Sequence, residues 1–217
     1  MANLRGASIS NTQSYGTSLS ARGLSSGTDI LLTYNTMPGN SPSTNGNTVF
    51  LWQNQPFIPY NQSPLASQPV PTNTQQGSMD FGNLQIQSKD YIIGYAVGPN
   101  PTNVSSWVYV PAAGGPNQAF QTSIWANAPD ISPDVVVVHF DTPDGNQPQS
   151  SGQWVGLFQG TPSYGQQPVA KVNMANNSSQ GTIALAATLL RFTTYSLAYF
   201  MGANQKMMAA SFTFTTN

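Results

Sequence analysis

The chain has 217 residues, 39% of them hydrophobic and only 6% charged, with a net charge of −1; soluble domains average about 25% charged. With three Arg and three Lys scattered along its length, it lacks the clustered cations that nucleic acid or an anionic membrane surface needs. It has no cysteine, which removes disulfides, thiolate metal sites and cysteine nucleophiles.

From the N-terminus, Met1 to Ser10 carries Arg5 but no apolar core and no cleavage pattern. It reads as a free tail, 1–10, and not as a signal peptide. Beyond it, the elements come twice. Leu32 to Asn54 aligns without a gap on Val138 to Gly160, and eight of the 23 positions are identical, among them Thr36/Thr142, Gly39/Gly145 and Leu51/Leu157. Tyr60 onward aligns on Tyr164 onward, with Gly77/Gly181, Tyr91/Tyr195, Tyr95/Tyr199 and Gly98/Gly202 in register. Each copy is about 100 residues, the size of one small domain. The organisation predicted is a tail 1–10, a domain 11–112, a linker 113–117 and a domain 118–217. The linker falls at Pro111-Ala-Ala-Gly-Gly-Pro116, short enough that the two domains should touch.

The strands follow in pairs. Thr17–Ala21 matches Thr122–Ala126. Ile30–Asn35 matches Val135–Asp141, with Ile30, Leu32 and Tyr34, or Val136, Val138 and Phe140, on one face. Thr48–Gln53 matches Trp154–Gln159. The stretch Tyr60–Val70, proline-rich and paired with Tyr164–Met174, suits an edge strand or an irregular crossing. Ser78–Ile86 matches Thr182–Leu190, Tyr91–Val97 matches Tyr195–Met201, and Trp107–Val110 matches Ser211–Phe214. Ile183–Met201 is apolar enough to resemble a membrane helix, but Arg191 interrupts it and its partner, Met79–Val97, carries Asp80, Lys89 and Asp90. No membrane span is expected.

Seven short strands per copy predict an all-β fold of two tandem Greek-key β-sandwich domains produced by internal duplication. Tyr91-x-Ile93-x-Tyr95-x-Val97, repeated as Tyr195-x-Leu197-x-Tyr199, resembles the tyrosine-corner strand of immunoglobulin and fibronectin type III domains. That resemblance implies that Tyr91 and Tyr195 bond their hydroxyls to backbone just upstream. The Leu-x-Pro that precedes this tyrosine in fibronectin domains is missing, as is the immunoglobulin cysteine pair.

His139 and Asp141, two apart on one strand, point to one face, but no Gly-x-Ser-x-Gly elbow supplies a nucleophile. The reading is of a protein that is not an enzyme and needs no cofactor. Asp141, Asp144 and Asn146 form a weak oxygen-ligand set for a metal, without the regular spacing of a calcium loop. Asn103, Asn176 and Asn177 fit the N-glycosylation pattern.

The tryptophans carry more. Trp52 aligns on Phe158 and reads as core. Trp107, Trp125 and Trp154 align on Ser211, Ser20 and Thr48. An indole where the sister copy has a small hydroxyl residue marks a contact between domains, with another chain or with a ligand. With charge this sparse, the expected function is a structural protein that self-associates into a layer, fibre, shell or inclusion. The alternative is a binding module for carbohydrate or another surface ligand. An extracellular or surface location is expected over a cytoplasmic inclusion.

Overall fold

The structure is a computed structural model that describes residues 8–23, 27–112 and 115–217. It is all-β. The first half of the chain forms β1 (Ile9–Gly16), β2 (Ser18–Gly23), β3 (Ile30–Asn35), β4 (Thr48–Gln53), β5 (Ala66–Pro69), β6 (Gln76–Phe81), β7 (Tyr91–Ala96) and β8 (Val104–Val110). The second half forms β9 (Gln118–Gln121), β10 (Ser123–Trp125), β11 (Val135–Asp141), β12 (Trp154–Gln159), β13 (Ala170–Asn173), β14 (Gln180–Ala186), β15 (Thr194–Phe200) and β16 (Met208–Thr216). No helix among the described residues is long and apolar enough to cross a membrane. Ile183–Met201 is the second half of β14, a turn and the whole of β15.

Four antiparallel sheets result: β2-β3-β6, β5-β4-β7-β8-β9, β10-β11-β14 and β1-β16-β15-β12-β13. Alternation sets the inner faces. Along β3, Ile30, Leu32 and Tyr34 are buried while Thr33 and Asn35 are exposed, and β11 buries Val136, Val138 and Phe140 in the same phase. Each three-stranded sheet lies against a five-stranded one. Tyr34 of β3 meets Tyr95 of β7 with ring centroids 5.4 Å apart, and Phe140 of β11 meets Tyr199 of β15 at 5.8 Å. The buried apolar residues of both pairs form one continuous cluster.

Strands β4, β7, β12 and β15 are buried on both faces. Their outer faces are covered by irregular chain. Ile58 and Tyr60 pack on Phe50, Trp52 and Ile92, and Tyr164 packs with Trp154, Phe158 and Phe200. Trp52 is therefore buried, 2% exposed, in this second layer. Its indole N–H donates to the Gln62 carbonyl.

The two copies are tied together by exchange. β1 pairs with β16, the last strand of the other copy, and β9 pairs with β8. The exchanges are equivalent. The Thr17 N–H donates to the Ala209 carbonyl at 2.9 Å, and the aligned Thr122 N–H donates to the aligned Ser105 carbonyl at 2.8 Å. After these threonines each chain segment switches sheets, β1 into β2 and β9 into β10. The segments cross where Gly16 faces Thr122; a Cβ on Gly16 would stand 3.0 Å from the Thr122 carbonyl oxygen. Ile9 and Ser10, expected in the tail, thus belong to a paired strand, and β9 begins directly after the expected linker. Residues 1–7 of that tail and 113–114 of that linker lie outside the described residues.

A second exchange joins the loops. Gly39 and Gly145 have positive φ, +78° and +79°, the left-handed region that glycine enters without strain. The ring of Tyr164 lies over Gly39, and the ring of Tyr60 lies over Gly145. Each tyrosine thereby lies beside a buried polar network in the opposite copy, its own hydroxyl buried without a hydrogen-bond partner. In one, Asn40 and Tyr95 donate to Asn47 Oδ1 at 2.7 and 3.0 Å. In the other, Asn146 and Gln153 bond reciprocally at 3.0 and 2.9 Å, and Tyr199 donates to Gln153 at 2.8 Å. Burial raises the Tyr60 and Tyr164 hydroxyls well above the ordinary tyrosine value. Asn103 closes the seam by donating to the Met201 carbonyl at 2.7 Å, so this member of the glycosylation pattern is a buried structural amide.

Candidate functional site

The polar loop candidates resolve first. His139 bonds Asp130, not Asp141, with Nε2 3.0 Å from Oδ2. Asp130 also accepts from the backbone and side chain of Asn127. The Asn127 N–H, with help from His139, holds the Asp130 carboxyl below its ordinary value, against an opposing contribution from burial. This is the one ion pair among the described residues, and it anchors a 3-10 turn over Ala128–Asp130. Asn146, of the weak metal set, spends both amide hydrogens on Thr142 and Gln153 and its oxygen on Gln153. Its oxygen thus faces a core network. Asp144 is exposed and Asp141 half-buried; burial, then the Asp144 charge, pushes the Asp141 carboxyl up.

The three tryptophans fall in three environments. Trp107 sits on β8 opposite Phe120 of the exchanged strand β9, with the rings stacked at 6.0 Å. It seals the exchange and is half-buried. Trp154 is buried, 6% exposed, with its ring stacked on Phe200 at 3.8 Å. Met37, from the other copy, joins that cluster. Trp125 is half-buried on β10, stacked on His139 at 5.3 Å. It stands on the outer face of the β10-β11-β14 sheet.

That outer face has a counterpart in the first copy, which makes a row-by-row comparison possible. In the β2-β3-β6 sheet the rows are Ser18, Asn35 and Gln76; then Ser20, Thr33 and Ser78; then Arg22, Leu31 and Asp80. In β10-β11-β14 the aligned rows are Ser123, Asp141 and Gln180; then Trp125, His139 and Thr182; then Val137 and Ala184, followed by Val135 and Ala186. One end of this face has turned apolar, with Trp125, Val135, Val137, Ala184 and Ala186, while Ser123, Asp141, Gln180, His139 and Thr182 keep the rest polar. Ala184 and Ala186 are exposed, and Val135 and Val137 half-exposed. Sequence comparison of the copies found Trp125 but missed the valine and alanine rows beside it. Small apolar residues in an apolar strand carry no signal until the strand's outward phase is known.

A second feature lies in the later copy. Two adjoining cavities of about 440 and 380 Å³ share Trp154, Lys171 and Ala203. Gln149 and Asn173 line the first and Gln167 the second. The Lys171 ammonium lies 5.7 Å from the Trp154 ring centroid. The aligned residues in the first copy are Thr48 for Trp154, Ser67 for Lys171 and Ala96 for Phe200.

Beyond the sheets, Phe192 is 81% exposed and Leu190 59%. Phe192 has a φ of +53°, rare for a bulky side chain. The turn that carries it is tied down at both ends. Leu190 N–H donates to the Tyr195 hydroxyl at 3.0 Å, Thr193 N–H to Thr216 Oγ1 at 3.1 Å, and Thr216 Oγ1 to the Leu190 carbonyl at 2.6 Å. No protein-family model matches the chain, and no curated protein does.

Proposed function

We propose that the protein is a non-enzymatic structural subunit that self-associates into an ordered assembly, and that the outer face of β10-β11-β14 is one of its contacts. The observation that carries this reading is the replacement of Ser20 and Asp80 on the first copy's face by Trp125 and Ala184, beside Val137 where the first copy has Leu31. Both faces are made by the same strands in the same register, so the fold does not require the apolar one. Exposed apolar patches of this kind mark contacts, and a second copy of so weakly charged a chain brings no electrostatic repulsion to the encounter. A face that meets its own copy gives a closed twofold pair. Growth beyond a pair needs a second, unlike contact, and Phe192 with Leu190 offers one.

The scaffold behind this reading is a tandem of immunoglobulin-like Greek-key sandwiches. In that fold, strands A, B and E share one sheet and C, F and G the other. Here β2, β3 and β6 hold the places of A, B and E, and β4, β7 and β8 those of C, F and G. The Tyr91 hydroxyl accepts from the Gln85 N–H at 3.1 Å, as the Tyr195 hydroxyl does from Leu190, which supports the tyrosine-corner resemblance.

Size-exclusion chromatography with light scattering over a concentration series tests the function. Self-association that weakens in Trp125→Ser, with an unchanged melt, supports it. A particle that stays monomeric at ~1 mM, where even a weak contact of about −4 kcal/mol is half formed, overturns it.

A further inference from the structure

The geometry points to a ligand site in the cleft between Trp154 and Lys171, for a saccharide that carries a carboxylate. The cleft is distinct from the proposed self-association face: it lies along β12 and β13, not on β10-β11-β14. Its volume, about 440 Å³ with 380 Å³ adjoining, falls in the range of small-ligand pockets.

Three observations specify the ligand. The first is the unpaired cation. Lys171 is one of six Lys and Arg residues in the whole chain, and the one ion pair among the described residues is His139–Asp130. Lys171 therefore has no carboxylate there and rests on an indole. A cation–π contact at a solvent-facing site is weaker than a charge-assisted hydrogen bond. A carboxylate entering the cleft draws the ammonium off the ring. The second observation is the free amides. The side chains of Gln149, Gln167 and Asn173 are exposed, surround the same cleft and make no hydrogen bond within the described residues. Each offers both donor and acceptor, which suits hydroxyl groups. The third is the indole itself. One face of Trp154 is closed by Phe200, and Lys171 stands over the ring where both cavities meet it, so its movement offers the indole edge and face there to a sugar ring.

Packing accounts for part of this, since Trp154 and Phe200 fill space that Thr48 and Ala96 leave to other residues in the first copy. It does not account for Lys171, which is exposed and replaces a serine at the rim.

The test titrates digalacturonate into the whole protein and reads tryptophan fluorescence and heat. Its dimethyl ester, which keeps the hydroxyls and loses the charge, and sodium acetate, which keeps only the carboxylate, are the comparison ligands. Digalacturonate should bind, the ester should bind ~10-fold or more weakly, and acetate should give no saturable signal, since one charge-assisted bond corresponds to about one to two decades in affinity. Lys171→Ser, which installs the first copy's residue on an exposed position, should leave the melt unchanged and weaken digalacturonate binding by the same factor. Gln149→Ser, copying Ser43, should weaken acid and ester alike. No binding of digalacturonate at ~10 mM overturns the proposal. So does equal binding of acid and ester, or undiminished binding by Lys171→Ser.

Discussion

At the scale of single residues, the sequence repeat provides an internal control for each tryptophan. Trp125 and Trp52 are the contrasting pair. Trp125 stands half-exposed on a face that works with serine in the other copy, and the Ser20 side chain there is satisfied by Thr33. Trp125→Ser should lower the melting free energy by no more than ~1 kcal/mol, the usual scale for a surface change. Trp52 is enclosed by Phe50 and Ile58 and bonds Gln62. Trp52→Ser should cost about 3–5 kcal/mol. Denaturant titrations of both variants check this; equal losses would make Trp125 a core residue and remove it from any interface. The His139–Asp130 pair adds a pH dependence. Asp130 has its carboxyl pKa depressed in the folded state, so its stabilisation is complete above the unfolded carboxylate pKa and is lost as pH falls through the folded value. Asp130→Asn should melt lower than the parent at about pH 5, and the gap should close as pH falls below ~4. A gap independent of pH would mean that the carboxylate charge has no part in holding the turn.

At the scale of elements, most strands were legible in the sequence. β3, β4, β11 and β12 have the bounds that turn residues and repeated alternation predict, and the proline-rich fourth region lies at a sheet edge in both copies. β1 and β9 were not legible. Ile9–Gly16 is polar, and most of its residues are exposed, because its contribution is backbone pairing along the β16 edge, which leaves no hydrophobic period. β9 hides for the same reason beside the linker. Nor does sequence comparison say whether a strand pairs within its own copy or with the other, because equivalent partners look alike. The exchange yields two predictions. Removing residues 1–16 should strip β16 of one of its two neighbours and raise exchange selectively for the amides that bonded β1, leaving β8, still paired with β9, protected. Equal deprotection of β8 and β16 would mean that the copies unfold as one unit. Gly16→Val should cost about 1–3 kcal/mol, the range for overpacking, because the Thr122 carbonyl at the crossing is backbone and has no rotamer to yield. A neutral substitution would show that the crossing is looser than the 3.0 Å approach indicates.

At the scale of the whole molecule, the two copies are the same scaffold with different outer surfaces. The apolar sheet face and the Phe192 turn both belong to the second copy, so they are presented at a constant separation. One contact alone ends at a pair; two unlike contacts propagate. The Phe192 turn suits the second role because it is rigid where an idle loop would be loose. A bulky residue in a left-handed conformation costs about 1–3 kcal/mol and persists only where its surroundings impose it; here Thr216 and Tyr195 fix both shoulders of the turn. The aligned residue in the first copy is Ser88, so the aromatic is not needed for folding. Phe192→Ser should therefore leave the melt unchanged or raise it slightly, while light scattering at high concentration falls from growing species to a plateau at the pair. Combining it with Trp125→Ser should leave monomer. If Phe192→Ser alone already gives monomer, the turn is the primary contact and the β10-β11-β14 face is secondary. If it leaves growth untouched, Phe192 takes no part in assembly and the second contact lies elsewhere on the molecule.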